Sequence, residues 1–566
     1  MTQPTESATA NGEVSAAGQK RKKIALWSLR IAGVTTATLI LLLAIEAGLR
    51  LFGVGYSTDL TVPCTVKGRA AACYNLFFPA PFFPTGMIKT PQAYAIPGEK
   101  PPGTYRIFVL GESAAMGDPD PAYAFSRYLE VMLRQRFPTM RFEVVNTGSV
   151  AINSHVVLPI ARGLAEQRPD LFIIYSGNNE VVGPYGPGTA LTASSMSMPL
   201  IRGNIFVRSS RIGQLLTKVG TKKREWGGMA MFLDKQVREN SPLMPYAYSN
   251  FAQNLRDTVE VARRSGARVI VSTAATNLKD CSPFGSLHRA DLSPDDLRSW
   301  TALVQEGAEL ERGRSYDEAL NRYRDAAKID GQYAELEFHI ANSLWMLGDY
   351  AAAHKHFLRA RDLDTLRFRA DSRINEINRS VATSSGAELV DADAIFSSAS
   401  PNGITGSELV YEHVHLTPLG NYLLARSMFV QIAGKFASES GHALSEADVP
   451  SEAECEQLLA FTGHDRLRIA SEMLQRLQLA PFTSQLNHSD QVLRLMLQTQ
   501  AADENPDETA AEYEWAIRKN PEDRVLHYNY GLFLFEHNRD AAMAQLRLSR
   551  PWDGFPVFTP DGMVVE

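Results

Sequence analysis

Arg106-Ile-Phe-Val-Leu-Gly-Glu-Ser113 sets a β-branched and aromatic run directly before Gly111-Glu112-Ser113, and the small residues Ala114-Ala115 follow. This pattern reads as a buried strand delivering a hydroxyl to the rim of a parallel sheet, beside the start of a helix. Ser113 then has two readings. It is an N-cap that accepts a backbone N–H of the first helical turn, or a nucleophile on a strand-to-helix turn.

Three downstream segments bear on the choice. They are Val144-Val-Asn146-Thr-Gly148-Ser-Val-Ala-Ile-Asn153, Leu171-Phe-Ile-Ile-Tyr-Ser-Gly177-Asn-Asn179-Glu180 and Glu412-His-Val-His415-Leu-Thr-Pro-Leu-Gly420. In this order they resemble the sequence blocks of the SGNH (GDSL-like) serine hydrolases over about 100–290 and 385–430. The resemblance implies Ser113 as nucleophile, His415 as base and Glu412 in the place of the triad Asp. It implies an oxyanion hole made of Ser113 N–H, Gly148 N–H and the Asn179 side chain. Taken singly, Gly148 is also an ordinary turn glycine and Asn179 a loop-capping Asn.

Two residues depart from the family pattern. Glu112 stands where the first block has Asp, a residue that supports the turn. Glu412 stands where Asp orients the base. A Glu is one methylene longer and has to bend back to reach Nδ1 of His415. Ser-His-Glu sites occur in hydrolases; the other reading is a Ser-His dyad with Glu412 on the surface.

The residue types suit acyl transfer. A serine hydroxyl needs a base to take its proton as it attacks. Histidine titrates near neutrality and fills that role. A carboxylate fixes the imidazole tautomer and stabilises the imidazolium. Preorganised donors stabilise the oxyanion, each worth about 3–4 kcal/mol in the barrier.

His413 competes with His415 for the base role, but the Glu412-x-x-His415 spacing favours His415. Asn277, Asp280 and His288 follow the strand Arg268-Val-Ile-Val-Ser-Thr273. Ligand crevices lie outside the C-terminal ends of strands in open α/β sheets. These three are therefore candidates for lining the substrate pocket, against a plain Pro-containing loop with Asx turns. His155, which follows the Gly148 block, has two readings, a residue facing the same cleft and a helix-surface residue, of which the second is favoured.

The chain has 566 residues and a formal net charge of −6. That length accommodates about three or four domains. No basic patch in the body suggests nucleic acid. No Cys/His pattern has zinc spacing, and neither metal nor cofactor is implied.

The basic cluster Lys20-Arg-Lys-Lys23 precedes an apolar stretch from Ile24 to Ile45. About 20 such residues span a bilayer core, and the flanking charge puts the N-terminus in the cytoplasm. A cleaved signal peptide is the rival, but Ile45-Glu46-Ala47 lacks an Ala-x-Ala site. Cys64 and Cys73 are close enough in sequence to pair outside the cytoplasm.

An internal repeat interrupts the hydrolase-like blocks. Tyr316, Ala319, Tyr323, Ala326 and Asp330 recur as Tyr350, Ala353, Phe357, Ala360 and Asp364, an offset of 34, and Gly313 and Gly348 fall near the matching small position. This resembles tetratricopeptide repeats, which are helix–turn–helix units of that period. Tyr513, Ala516, Pro521 and Gly531 have the same flavour.

The expected fold is α/β. Strands near 105–110, 141–146, 170–175, 268–273 and 387–391 build a doubly wound parallel-sheet, SGNH-hydrolase-like domain. The expected order is a cytoplasmic tail (1–23), a transmembrane helix (24–46) and an irregular stalk (47–100). A first hydrolase segment (101–290), an α-helical repeat insertion (291–383), a second hydrolase segment (384–440) and a C-terminal helical region (441–566) follow. The stretch 185–250, without clear strands, is expected as a lid or side wall.

The expected function is a single-pass, membrane-anchored extracytoplasmic serine esterase acting on an O-acyl or O-acetyl ester of a glycan or lipid. An O-acyltransferase with the same triad is an alternative. A non-catalytic, repeat-bearing scaffold for envelope assembly is another, and the repeats are the expected site for a protein partner.

Overall fold

The computed structural model describes residues 10–84, 86–87, 92–192, 197–220, 225–439, 444–501, 505–559 and 564–565. The first nine residues of the expected tail lie outside them. The chain divides into two compact units, Met1–Thr58 with Arg202–Lys222, and Asp59–Ile201 with Lys223–Glu566.

In the first unit, helix α1 runs over Ala10–Leu51. Its segment Ala25–Leu51 is long and apolar enough to cross a membrane, with mean hydropathy 1.9. Glu46 has a structural role. Its carboxylate accepts from Arg211 N (3.0 Å) and Ile212 N (3.1 Å) at the start of the helix Arg211–Gly220. A negative group there satisfies otherwise orphaned N–H donors. The segment expected as a lid thus belongs, over 202–222, to the unit of the apolar helix.

The second unit begins with a correction. The stalk is not wholly irregular: Thr61–Val66 (β1), Arg69–Tyr74 (β2) and Ala95–Pro97 (β3) form an antiparallel sheet. Lys67 and Gly68, both at positive φ, make the tight turn between β1 and β2. Cys64 and Cys73 are joined by a disulfide across this hairpin, with Cα atoms 5.9 Å apart.

The main sheet has five parallel strands, Thr104–Gly111 (β4), Arg141–Asn146 (β5), Leu171–Tyr175 (β6), Arg268–Ser272 (β7) and Glu388–Val390 (β8). Their order is β5-β4-β6-β7-β8, and every pair is parallel. All five lie where the apolar runs placed them. Alternate residues serve opposite faces. Ile107, Val109, Leu171, Ile173 and Ile270 pack with Phe125, Leu129, Met428 and Phe429 in one core. The aromatic pair Phe108 and Phe172, with ring centroids 5.7 Å apart, lies on the other face.

Short helix α2 (Ser113–Met116) follows β4, and α3 (Phe125–Arg136) and α4 (Ser154–Ala165) flank β5. Four helices come between β7 and the return to the sheet: α5 (Pro294–Arg312), α6 (Tyr316–Ile329), α7 (Ala334–Met346) and α8 (Tyr350–Leu363). The residues related by 34 positions, Ala319 and Ala353, Tyr323 and Phe357, Ala326 and Ala360, are all buried in one cluster. A Cβ on Gly307 would lie 2.5 Å from the Tyr323 ring, so glycine permits the close crossing of α5 and α6.

Helix α9 (Ser372–Ser385), within the expected 291–383, bonds to both neighbours: its Ser372 N–H donates to Asp362 Oδ1 (3.0 Å) at the end of α8. Asn375 exchanges hydrogen bonds with the Ala274 backbone after β7, and Asn378 Nδ2 donates to Ser176 O after β6 (3.3 Å). Helix α10 (Pro418–Glu439) then covers the first core. The C-terminal region is helical, and its α11 (Gly463–Leu477) bears on the site.

Candidate active site

The turn after β4 is held against β6 and the loop that follows it. A Cβ on Gly111 would meet Tyr175 O at 2.0 Å, so only glycine fits against β6. Glu112 is buried and is the N-cap residue of α2. Its carboxylate accepts from Ser176 Oγ (3.0 Å), Gly177 N (2.9 Å) and Asn178 N (3.1 Å). It thereby ties the turn after β4 to the loop after β6, and the extra methylene over Asp supplies the reach. Burial pushes this carboxyl up to about 7 despite those donors.

Ser113 is the first residue inside α2, so it is not the cap. Its Oγ lies 2.8 Å from His415 Nε2. His415 Nδ1 is hydrogen-bonded to Glu412 Oε1. Glu412 is fully buried and also accepts from the backbone N–H groups of His413 and Val414. Burial works to raise the Glu412 carboxyl, but His413, His415 and these donors hold it well below the usual carboxylate range. Burial opposes charge on His415, yet Glu412, then Asp118, lift it above the ordinary imidazole value. The arrangement can move a proton from Ser113 to His415 with a fixed tautomer behind it.

The remaining oxyanion candidates, Gly148 and Asn179, both make hydrogen bonds to neighbouring loop residues. Gly148 N–H donates to Asn146 Oδ1 (2.9 Å), and a backbone N–H has a single hydrogen to give. Asn146 Nδ2 in turn donates to Ala115 O (2.8 Å). A Cβ on Gly148 would lie 2.5 Å from Met116 N, so this glycine is required by packing against α2. Asn179 Nδ2 donates to Ile152 O (3.1 Å) and keeps its second hydrogen for another acceptor. In the same loop Ala151 has φ +60°, a left-handed conformation that costs an ordinary residue about 1–2 kcal/mol.

Asn277, Asp280 and His288 are each held by partners other than Ser113. Asn277 is fully buried; its N–H donates to His413 O (3.0 Å) and its Nδ2 to Val410 O (3.0 Å). Asp280 accepts from Ser407 N (2.8 Å) and Lys279 Nζ (2.9 Å). These two brace the base-bearing segment from behind. His288 pairs with Asp330 (2.9 Å) and stacks on Tyr333, so it belongs to the insert. His413 turns into a cage of Phe284, Phe368 and Phe482. His155 is buried, not on the surface, with Nδ1 2.9 Å from Asn254 Nδ2.

Sequence reasoning missed Asp118 and Arg476. Asp118 Oδ2 lies 3.0 Å from His415 Nε2. Arg476, on α11, contacts Asp118 Oδ2 (2.5 Å) and Oδ1 (3.1 Å). Proximity of Asp118 to Ser113 was the only signal for the first. Nothing local marks Arg476, which is 61 residues beyond His415.

No family model and no curated protein matches this chain. Among solved structures, an acetyl xylan esterase is similar at 11% identity, with TM-score 0.28, over 58% of this chain and 99% of that one. A lipase/acylhydrolase from Enterococcus faecalis is similar at 10% identity, with TM-score 0.27, over 58% and 96%. A yeast Sti1 TPR2AB domain in complex with pHSP90 gives 13% identity, with TM-score 0.12, over 53% and 85%. Likeness of this size leaves the chemistry to be argued from the chain's own geometry.

Proposed function

We propose that this protein is an SGNH-like serine esterase, anchored by its N-terminal helix with the catalytic unit outside the cytoplasm. Its substrate class is an O-acyl or O-acetyl ester of a glycan or lipid. The observation that carries this reading is the 2.8 Å approach of Ser113 Oγ to His415 Nε2, with buried Glu412 on Nδ1.

The steps follow from that geometry. His415 takes the Ser113 proton as Oγ attacks the ester carbon. Glu412 stabilises the imidazolium. Ser113 N–H and the second Asn179 N–H stabilise the oxyanion; Gly148 N–H joins them only by leaving Asn146. His415 then protonates the leaving alkoxide, and water resolves the acyl-enzyme. An acceptor hydroxyl in place of water would make the same site an acyltransferase.

Labelling by a fluorophosphonate probe tests the reading. Labelling of wild type and its loss in Ser113→Ala support it; folded wild type that does not label points to the scaffold alternative. Free acid against transferred acyl product separates hydrolase from transferase. The disulfide between Cys64 and Cys73 supports the extracytoplasmic placement. A reporter fused after residue 60 should be active only outside the cytoplasm. Helices α5–α8 are read as tetratricopeptide-like repeats shaping access to the site or holding a partner.

A further inference from the structure

His415 Nε2 faces two oxygens, Ser113 Oγ at 2.8 Å and Asp118 Oδ2 at 3.0 Å. A neutral imidazole with its proton on Nδ1 presents a lone pair at Nε2. That lone pair accepts from a hydroxyl but is repelled by a carboxylate. An imidazolium donates to both. With Glu412 already on Nδ1, an uncompensated Asp118 would hold the base protonated and block the first step.

Compensation comes from the C-terminal helical region. Arg476 grips both Asp118 oxygens, and its Nη1 lies 3.3 Å from His415 Nδ1 and 3.8 Å from Glu412 Oε1. Glu472, one turn earlier on α11, accepts from Nη2 at 3.1 Å and fixes the guanidinium. One turn before that, Arg468 bonds Asp120, so α11 clamps the whole Gly117–Asp120 loop.

We propose that Arg476 is a positioning residue of the active site: it holds Asp118 beside Nε2 and offsets part of its charge, so that His415 gives up its proton more readily than it would beside Asp118 alone. This rests on the serine-esterase reading above. When Ser113 attacks, its O–H bond breaks and Oγ bonds the acyl carbon. The proton moves to Nε2, and the new Nε2–H donates to Asp118 until it passes to the leaving alkoxide. Asp118 thus assists the charged state and Arg476 moderates that assistance.

The charged and titratable groups facing His415 are Glu412 and His413 on its own segment, Asp118 after α2, and Arg476 with Glu472 on α11. The electrostatics agree in sign. Apart from burial, which lowers it, Glu412 and Asp118 raise the affinity of His415 for its proton, and Arg476 lowers it.

The test follows the His415 ring by NMR titration in the full-length protein, alongside the pH profile of p-nitrophenyl acetate hydrolysis. Arg476→Gln should move the titration and the acid limb up by about one pH unit, an approximately tenfold loss at acid pH with the alkaline plateau kept. Asp118→Asn should move both down. Asp118→Asn combined with Arg476→Gln should titrate between the two single variants, and Arg476→Lys should stay close to wild type. An unmoved titration in folded Asp118→Asn and Arg476→Gln, or a loss equal at every pH, overturns the proposal. Should Arg476→Gln fail to fold, Asp118→Asn and the double variant decide. A wild type inert towards esters would sink the esterase reading, while the titration would still judge the Arg476–Asp118 pair.

Discussion

Ser113 Oγ and His415 Nε2 lie 2.8 Å apart although 302 residues separate them in the chain. Their meeting depends on two sheet-end turns. One follows β4 and is tied down by Glu112. The other carries Glu412-His413-Val414-His415 and is braced by Asn277 and Asp280.

Ser113→Ala and His415→Ala should each remove nearly all ester turnover without unfolding the protein, because each deletes part of one proton path. Glu412→Gln should cost on the order of 10³–10⁴-fold, since it disturbs the tautomer. His413→Ala should instead lower stability, as it empties an aromatic cage. Steady-state kinetics with thermal melts distinguish these outcomes; a dead His413→Ala with an active His415→Ala would reverse the assignment.

Asn179→Ala and Gly148→Ala should fail differently. The first removes the proposed oxyanion donor and should lower kcat by roughly 10²–10³, with a modest loss of stability from the missing bond to Ile152 O. The second drives a methyl into the backbone of α2, 2.5 Å from Met116 N. It should displace Ser113 and lower the melting temperature together with activity.

Stability should fall as pH rises from mildly acid to mildly alkaline. Burial pushes Glu112 up to about 7, and burial with the nearby Glu112 pushes Glu180 up to about 8. Both sit above the ordinary carboxyl value, so the folded state holds protons that the unfolded chain releases near pH 4.5. Their stabilisation is present below that pH and is lost as pH climbs through about 7 and 8. Each tenfold gain in proton affinity on folding corresponds to about 1.4 kcal/mol, so the pair is worth several kcal/mol. Urea unfolding from pH 5 to pH 9 should show the slope, and Glu180→Gln should flatten it.

Ala326 and Ala360 are buried where paired helices cross. Leucine at either should overpack the crossing at about 1–3 kcal/mol, measurable by denaturation. Polar substitutions on the exposed face of α5–α8 should spare p-nitrophenyl acetate hydrolysis and weaken action on a large acylated substrate or a partner complex. Unchanged activity on both, with no partner lost in pull-downs, would leave the insert a structural element.

What the sequence determined by itself is local. Five apolar runs marked the five parallel strands, because a strand covered on both faces needs continuous hydrophobic residues. The 34-residue offset marked the buried small and aromatic positions of the insert, because helix crossings repeat their steric demands. Glu412 three residues before His415 suggested a carboxylate within reach of the imidazole. Tertiary structure alone decided the rest. It spent the Gly148 N–H on Asn146, sent His288 into the insert, bonded α9 to the sheet as well as to α8 and brought Arg476 to Asp118. Each of these depends on which side chains from distant segments meet as the layers pack. Periodicity reports which face of an element is buried, but it does not report what lies against that face.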